Sequence, residues 1–147
     1  MANTFTQCHV HVVFSTKNRR PTIREEIQPR LWAYMAGICQ SHGMIAVEIG
    51  GIENHVHLLV HLPPALALAK AVLLIKSNSS KWMNEMRRGF AWQDGYGAFN
   101  VSTSNIESVA RYVRNQKQHH RKMSFEDEYI ALLKKHGIAY DLKYVFG

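Results

Sequence analysis

The chain has 147 residues, enough for one domain spanning 1–147 with a core of its own, so neither disulfides nor a structural metal is required for folding. Lysine and arginine outnumber aspartate and glutamate by 18 to 11, a formal charge of +7 before any of the nine histidines is protonated, which favours a polyanionic partner. The two cysteines, Cys8 and Cys39, fall in apolar patterns and read as reduced small hydrophobes, which fits a cytoplasmic location. The N-terminus lacks a charged segment followed by an apolar one, and the longest apolar run, Ala65 to Ile75, is broken by Lys70, so no targeting or membrane segment is expected.

In chain order, Phe5 to Phe14 alternates as a first strand, with Cys8, Val10, Val12 and Phe14 on one face and His9, His11 and Val13 on the other. A polar, basic loop follows, from Ser15 to Pro21. Thr22 and Glu25 have the spacing of a capping box, and Ile27, Leu31, Tyr34, Met35 and Ile38 then keep helical period, with Pro29 marking a possible restart at a first turn and Gly43 suited to a left-handed cap. Met44 to Ile49 is a second strand, and Gly50-Gly51 reads as the tight turn of a hairpin into a third strand, which Pro63-Pro64 ends. A helix runs from Pro64 towards Met86, its apolar stripe interrupted by Lys76, Asn78, Ser79, Ser80 and Lys81. A glycine-rich loop then leads to a fourth strand around Ala98–Ser102, and its Trp92, Tyr96 and Phe99 read either as base-stacking groups or as pins to the core. Ser104 and Glu107 form a second capping-box pattern before a helix, and Ser124 caps a final helix through Phe125, Tyr129, Leu132 and Leu133. The tail from Ile138 is apolar enough to dock. This order of elements is an α+β, ferredoxin-like βαββαβ pattern: an antiparallel sheet with helices on one face, followed by C-terminal helices.

The third strand, Glu53 to His61, sets Val56, Leu58 and Val60 on one face and His55, His57, Leu59 and His61 on the other. Side chains two apart on a strand share a side at a rise of about 6.5–7 Å, close enough for two imidazoles to lean onto one cation. His55 and His57 are therefore a metal pair or two hydrogen-bonded histidines of a half-buried strand. Tyr112 and Gln116 lie one helical turn apart on a shared face, within reach of one site. Lys17, Arg19 and Arg20 leave the first strand together, and Arg111, Arg114 and Lys117 share the Tyr112 helix. With Lys76, these read either as a nucleic-acid-facing surface or as a solvated one.

Taken together, His11-Val-Val-Phe-Ser-Thr-Lys17, Asn54-His55-Val56-His57-Leu58-Leu59-Val60, Lys76-Ser-Asn-Ser-Ser80, Gly95 to Thr103 and Tyr112-Val-Arg-Asn-Gln116 resemble the IS200/IS605-like single-tyrosine transposases. These belong to the HUH endonucleases and include the REP-associated tyrosine transposases. The resemblance implies that His55, His57 and Gln116 hold Mg²⁺ or Mn²⁺, with a histidine-containing set leaning towards Mn²⁺. It also implies that Tyr112 attacks single-stranded or hairpin DNA to give a 5′-phosphotyrosine, and that the protein works as a homodimer, with the tyrosine serving its own or its partner's site. His9, His11, His61, His119 and His120 are alternative third ligands if the helix is rotated, and otherwise core, surface or phosphate-facing residues. Two other functions remain open on the sequence: a catalytically silent hairpin-DNA binder of the same fold, and a small zinc-dependent hydrolase.

Overall fold

The computed structural model describes residues 3–147. At its centre lies β1 (His9–Ser15), buried along its whole length except for half-buried His9. A strand with no solvent-facing side needs partners on both edges and packed layers on both sides. It pairs antiparallel with β3 (His55–His61) on one edge and with β4 (Gly97–Val101) on the other, and β2 (Ile45–Ile52) joins β3 to complete the order β2-β3-β1-β4. This is the expected antiparallel ferredoxin-like sheet. The register sets Val13 opposite His57 and Ser15 opposite His55, which places both histidines on an interior strand near one end of the sheet.

Helices α1 (Gln28–Ser41) and α2 (Leu68–Met86) cover one face, where Val10, Val12 and Phe14 share a core with Leu31, Met35, Val72 and Ile75. Helix α3 (Ile106–Arg114), the single turn α4 (Gln116–His119) and α5 (Phe125–Lys135) follow the sheet in the chain. They cover the opposite face, with Leu59 packed on Ala110 and Val113, and Val13 and Phe99 on Phe125, Tyr129 and Leu133. The tail docks as expected, bringing Val145 and Phe146 onto this second cluster.

Several local expectations give way to packing. Gly50-Gly51 does not turn the hairpin: β2 runs on to Ile52, and Glu53-Asn54 make the two-residue connection. The glycines are there for close approach, since a Cβ on Gly50 would collide with the Val113 carbonyl of α3 and one on Gly51 with the His55 backbone. Gly50→Ala should therefore lower the unfolding free energy by about 1–3 kcal/mol, the usual cost of forcing extra volume into a packed site, as read by urea denaturation. Thr22 does not cap α1, which begins at Gln28 with Pro29 in its first turn. A helix starting at Thr22 would bring the Pro29 ring against the carbonyl one turn back. Ser104 likewise sits in a 3₁₀ turn and meets Ser102 Oγ at 3.3 Å, leaving α3 without a side-chain cap. Ser124 does cap α5, accepting from the Asp127 amide at 3.1 Å. Helix α2 starts at Leu68, later than Pro64, and β1 starts at His9, so Cys8 is exposed and only Cys39 is a buried thiol. Trp92 is buried and donates Nε1–H to Ser79 Oγ at 2.9 Å, and Phe99 is buried too, so these rings pin the glycine-rich loop and strand to the core.

Candidate active site

Strand β3 aims His55 and His57 at the face covered by α3 to α5, and their second nitrogens fix how they point. His55 Nδ1 lies 2.8 Å from Asn54 Oδ1 and His57 Nδ1 lies 2.8 Å from His11 Nε2. Nε2 of each ring is thereby turned inward, the usual way an outer hydrogen bond orients a ligating imidazole. Burial lowers the His55 pKa to about 4 and that of His11 to about 3, favouring neutral rings that can act as ligands or acceptors.

The inward nitrogens converge on Glu128, a residue of α5 that is only 1% exposed. Its Oε1 stands 2.9 Å from His57 Nε2, 3.1 Å from His120 Nε2 and 3.4 Å from His55 Nε2. Gln116, fully buried, places Oε1 3.2 Å from His55 Nε2 and 2.9 Å from His120 Nε2, while its amide nitrogen donates to the Tyr112 carbonyl at 3.1 Å. That last bond spans the break between α3 and α4 at Asn115, so Tyr112 and Gln116 reach one site although the helix is not continuous. The Tyr112 hydroxyl donates to Glu128 Oε2, and His119 Nε2 lies 3.5 Å from the same hydroxyl. Burial, followed by the Glu128 charge, pushes the phenol above its ordinary range. Burial alone would raise Glu128, but the close approach of the His120, His55 and His57 Nε2 atoms outweighs it and holds the carboxyl well below the usual carboxylate range.

This donor set fits a divalent cation. One donor atom from each of His55, His57, His120 and Glu128 lies within 4.8 Å of the others. Several of the separations are close to the roughly 3 Å expected between neighbouring donors around one ion. His120 supplies the chemical argument. Its Nδ1 is 2.6 Å from the Met123 carbonyl, which can only accept, so Nε2 of the neutral ring is a lone pair facing the oxygens of Gln116 and Glu128. A lone pair aimed at two acceptors is repulsive unless positive charge lies between them. Burial would lower His120, but the hydrogen bond and charge of Glu128 raise its pKa above the ordinary value, so the same cluster attracts a proton.

Expected and observed residues differ in instructive ways. His55, His57, Gln116 and Tyr112 come together. His120 and Glu128 join them, whereas His9 and His61 meet at a tilt with ring centres 4.8 Å apart at the other end of the strands. Glu128 carried a readable signal, for it falls on the buried stripe of α5 marked by Phe125, Tyr129 and Leu133. A carboxylate on such a stripe needs partners. Among the basic residues, Lys76 is engaged by the protein itself: its ammonium donates to the carbonyls of Gln93, Asp94 and Gly95 at 2.6, 3.2 and 3.0 Å and ties down the glycine-rich loop. Arg111, Arg114 and Lys117 are exposed and pair with Glu107, Glu48 and Glu25, contacts of small energy at a surface. Arg19 lies over the Phe146 ring and 4.0 Å from Glu126, whereas Lys17 and Arg20 are exposed and have no ion pair among the described residues. A cavity of about 490 Å³ opens beside Tyr112, with His11, His119 and Glu128 in its wall.

Fold and site together define a ferredoxin-like domain in which a His-x-His strand faces a helix-borne tyrosine across a cluster able to hold a metal. The family model for IS200-like transposases matches residues 4–116. The chain belongs to that family. It is 23% identical over 124 residues to the transposase of insertion sequence IS200 from Salmonella typhimurium, covering 79% of this chain and 81% of the relative. It is 22% identical over 118 residues to the ISDra2 transposase TnpA of Deinococcus radiodurans, covering 75% of this chain and 84% of that one. Among solved structures, a REP-associated tyrosine transposase bound to a REP hairpin superposes with a TM-score of 0.57 at 11% identity, covering 77% of this chain and 68% of that one. A Deinococcus radiodurans protein assigned as a transposase gives 0.65 at 21% identity, with 79% and 95% covered. The family match ends at Gln116, so His119, His120 and Glu128 lie beyond it. No helix among the described residues is long and apolar enough to cross a membrane.

Proposed function

We propose that this transposase cuts and rejoins hairpin-bearing single-stranded DNA through a 5′-phosphotyrosine on Tyr112. The observation that carries the reading is that one buried carboxylate, Glu128, touches both the inward imidazoles and the Tyr112 hydroxyl. His55, His57, His120 and Glu128, with Gln116 Oε1 beside them, would hold the ion. Three imidazoles and a carboxylate suit Mn²⁺ better than Mg²⁺. A cation bound there supplies Lewis-acid polarisation of the scissile phosphate.

The chain's own groups do the rest. The Tyr112 oxygen forms a bond to phosphorus, the bond from phosphorus to the 3′ oxygen breaks, and that oxygen departs and is protonated to a 3′-hydroxyl. The phenolic proton has Glu128 Oε2 as its first acceptor and His119 as a second nearby base. A 3′-hydroxyl of a second DNA end then attacks the phosphotyrosine, releasing the phenol and rejoining the strand, so no nucleotide cofactor is consumed. Hairpin DNA is the substrate favoured by the REP-hairpin complex of the structural relative. The contact between Tyr112 and Glu128 of the same chain supports a site assembled within one chain. A homodimer, with each tyrosine serving its own or its partner's site, would carry two such sites.

Incubation with hairpin-bearing single strands and Mn²⁺ tests the reading. A denaturation-resistant protein–DNA adduct, absent when EDTA replaces the metal, is expected. Tight hairpin binding with no adduct under any divalent metal would point instead to a silent DNA-binding protein. Bound zinc with turnover of a small substrate and no DNA binding would point to a hydrolase.

A further inference from the structure

On the sheet face away from Tyr112, a groove of about 630 Å³ lies between the segment entering α1 and the C-terminal end of α2, and four arginines border it: Arg24, Arg30, Arg87 and Arg88. Its one carboxylate, Glu26, is 3.5 Å from Arg24, and Arg30, Arg87 and Arg88 have no ion pair among the described residues. Arg30 lies over the Trp82 ring, 5.6 Å from its centre. The loop carrying Arg87 and Arg88 is held in shape: Asn84 Oδ1 accepts from the amides of Gly89 and Phe90 at 2.9 and 3.0 Å, and Asn84 Nδ2 donates to the Phe90 carbonyl at 2.9 Å. Gly89 supplies the positive φ, +98°, that this tight return requires. Part of the ordering cost of binding is therefore already met by the fold. Four like charges drawn to one concave surface with a single opposing carboxylate repel one another, and a polyanion relieves that repulsion.

We infer that this groove binds the phosphodiester backbone of the hairpin stem, away from the nucleotides cut at Tyr112. The inference rests on the proposed DNA substrate. Guanidinium forks suit phosphate oxygens. The basic loop gives the DNA a route between the two faces, because Arg19 lies beside α5 near Glu126 while Pro21 and Thr22 form the rim of the groove. Pairing at the groove would set affinity and leave the chemistry at Tyr112 unchanged.

The test compares wild type with the triple variant Arg30→Gln, Arg87→Gln, Arg88→Gln, and with a charge-matched control, Lys70→Gln, Lys81→Gln, Lys143→Gln, whose residues lie outside the groove. Binding is measured against salt for a hairpin-bearing oligonucleotide and for a short strand carrying only the cleavage site. All three groove arginines are exposed, so the fold should persist, and thermal melting checks it. For hairpin DNA, the groove variant should lose about 2–3 from the slope of log K against log salt, at about 0.7–0.9 per phosphate contact. The control and the short strand should show little change, and cleavage at saturating DNA should stay at the wild-type rate. An unchanged hairpin slope in the groove variant overturns the inference, as does an equal loss on the short strand or in the control. Polyglutamate binding that is lost in the groove variant while the DNA slope is unchanged would assign the groove to an acidic protein and likewise overturn it. Failure of the wild-type protein to bind DNA at all would instead refute the proposed function.

Discussion

Tyr112→Phe should abolish the covalent protein–DNA adduct while hairpin binding is retained. The phenol oxygen is the group that would bond to phosphorus, and Phe keeps the ring that lies edge-on to His57 and His11 with centre separations of 5.7 and 6.0 Å. The fold is thus preserved but the nucleophile is lost. The variant should also be less stable by about 1–3 kcal/mol, because a buried Glu128 oxygen loses its donor. An adduct that survives would move the nucleophile elsewhere. Among the other tyrosines, Tyr129 is buried in the second core cluster and Tyr144 is exposed on the tail, and neither hydroxyl has a hydrogen-bond partner among the described residues that would link it to the cluster.

Glu128→Ala should remove metal binding and cleavage together. The carboxylate is the one anion among the converging donors, and without it three buried imidazoles would share a cation with no compensating charge. Mn²⁺ affinity should fall by at least about 100-fold, the upper end of what changes to outer-shell partners alone cost. The rise in melting temperature that Mn²⁺ gives the wild type should disappear, since a ligand that binds only the folded state stabilises it by mass action. His57→Ala should act in the same direction, and Gln116→Ala more mildly, because water can replace an amide oxygen. Calorimetric Mn²⁺ titration measures all three. Equal affinity for wild type and Glu128→Ala would exclude the carboxylate from the site. Cleavage lost with affinity intact would leave Glu128 acting on Tyr112 alone.

Local pattern is a sufficient guide where one physical rule acts alone. Alternation in β1 and β3 identified strands because the apolar face had to meet a core, and the same alternation put His55, His57 and Leu59 on one side. Ser124 was legible as a cap since its own side chain makes the bond. Local rules failed where two readings shared one signal. A Gly-Gly pair serves a turn and a close backbone approach equally well, and only the position of Val113 decides between them. A lysine within a helix reads as surface until the carbonyls that bind it, in a loop much later in the chain, are known.

The strands, the histidine pair, and a tyrosine with a glutamine one turn on are legible in the chain alone, because each depends on periodicities of two or of about 3.6 residues within a short stretch. Tertiary packing decides that Glu128 and His120 join the cluster, that Gly50 makes room for α3 and Gly51 for the His55 backbone, and that Lys76 ties down the glycine-rich loop. Those outcomes depend on which buried groups find partners across the sheet, and residues as far apart in the chain as His57 and Glu128 meet only after β1 has brought its neighbours and α5 into one layer.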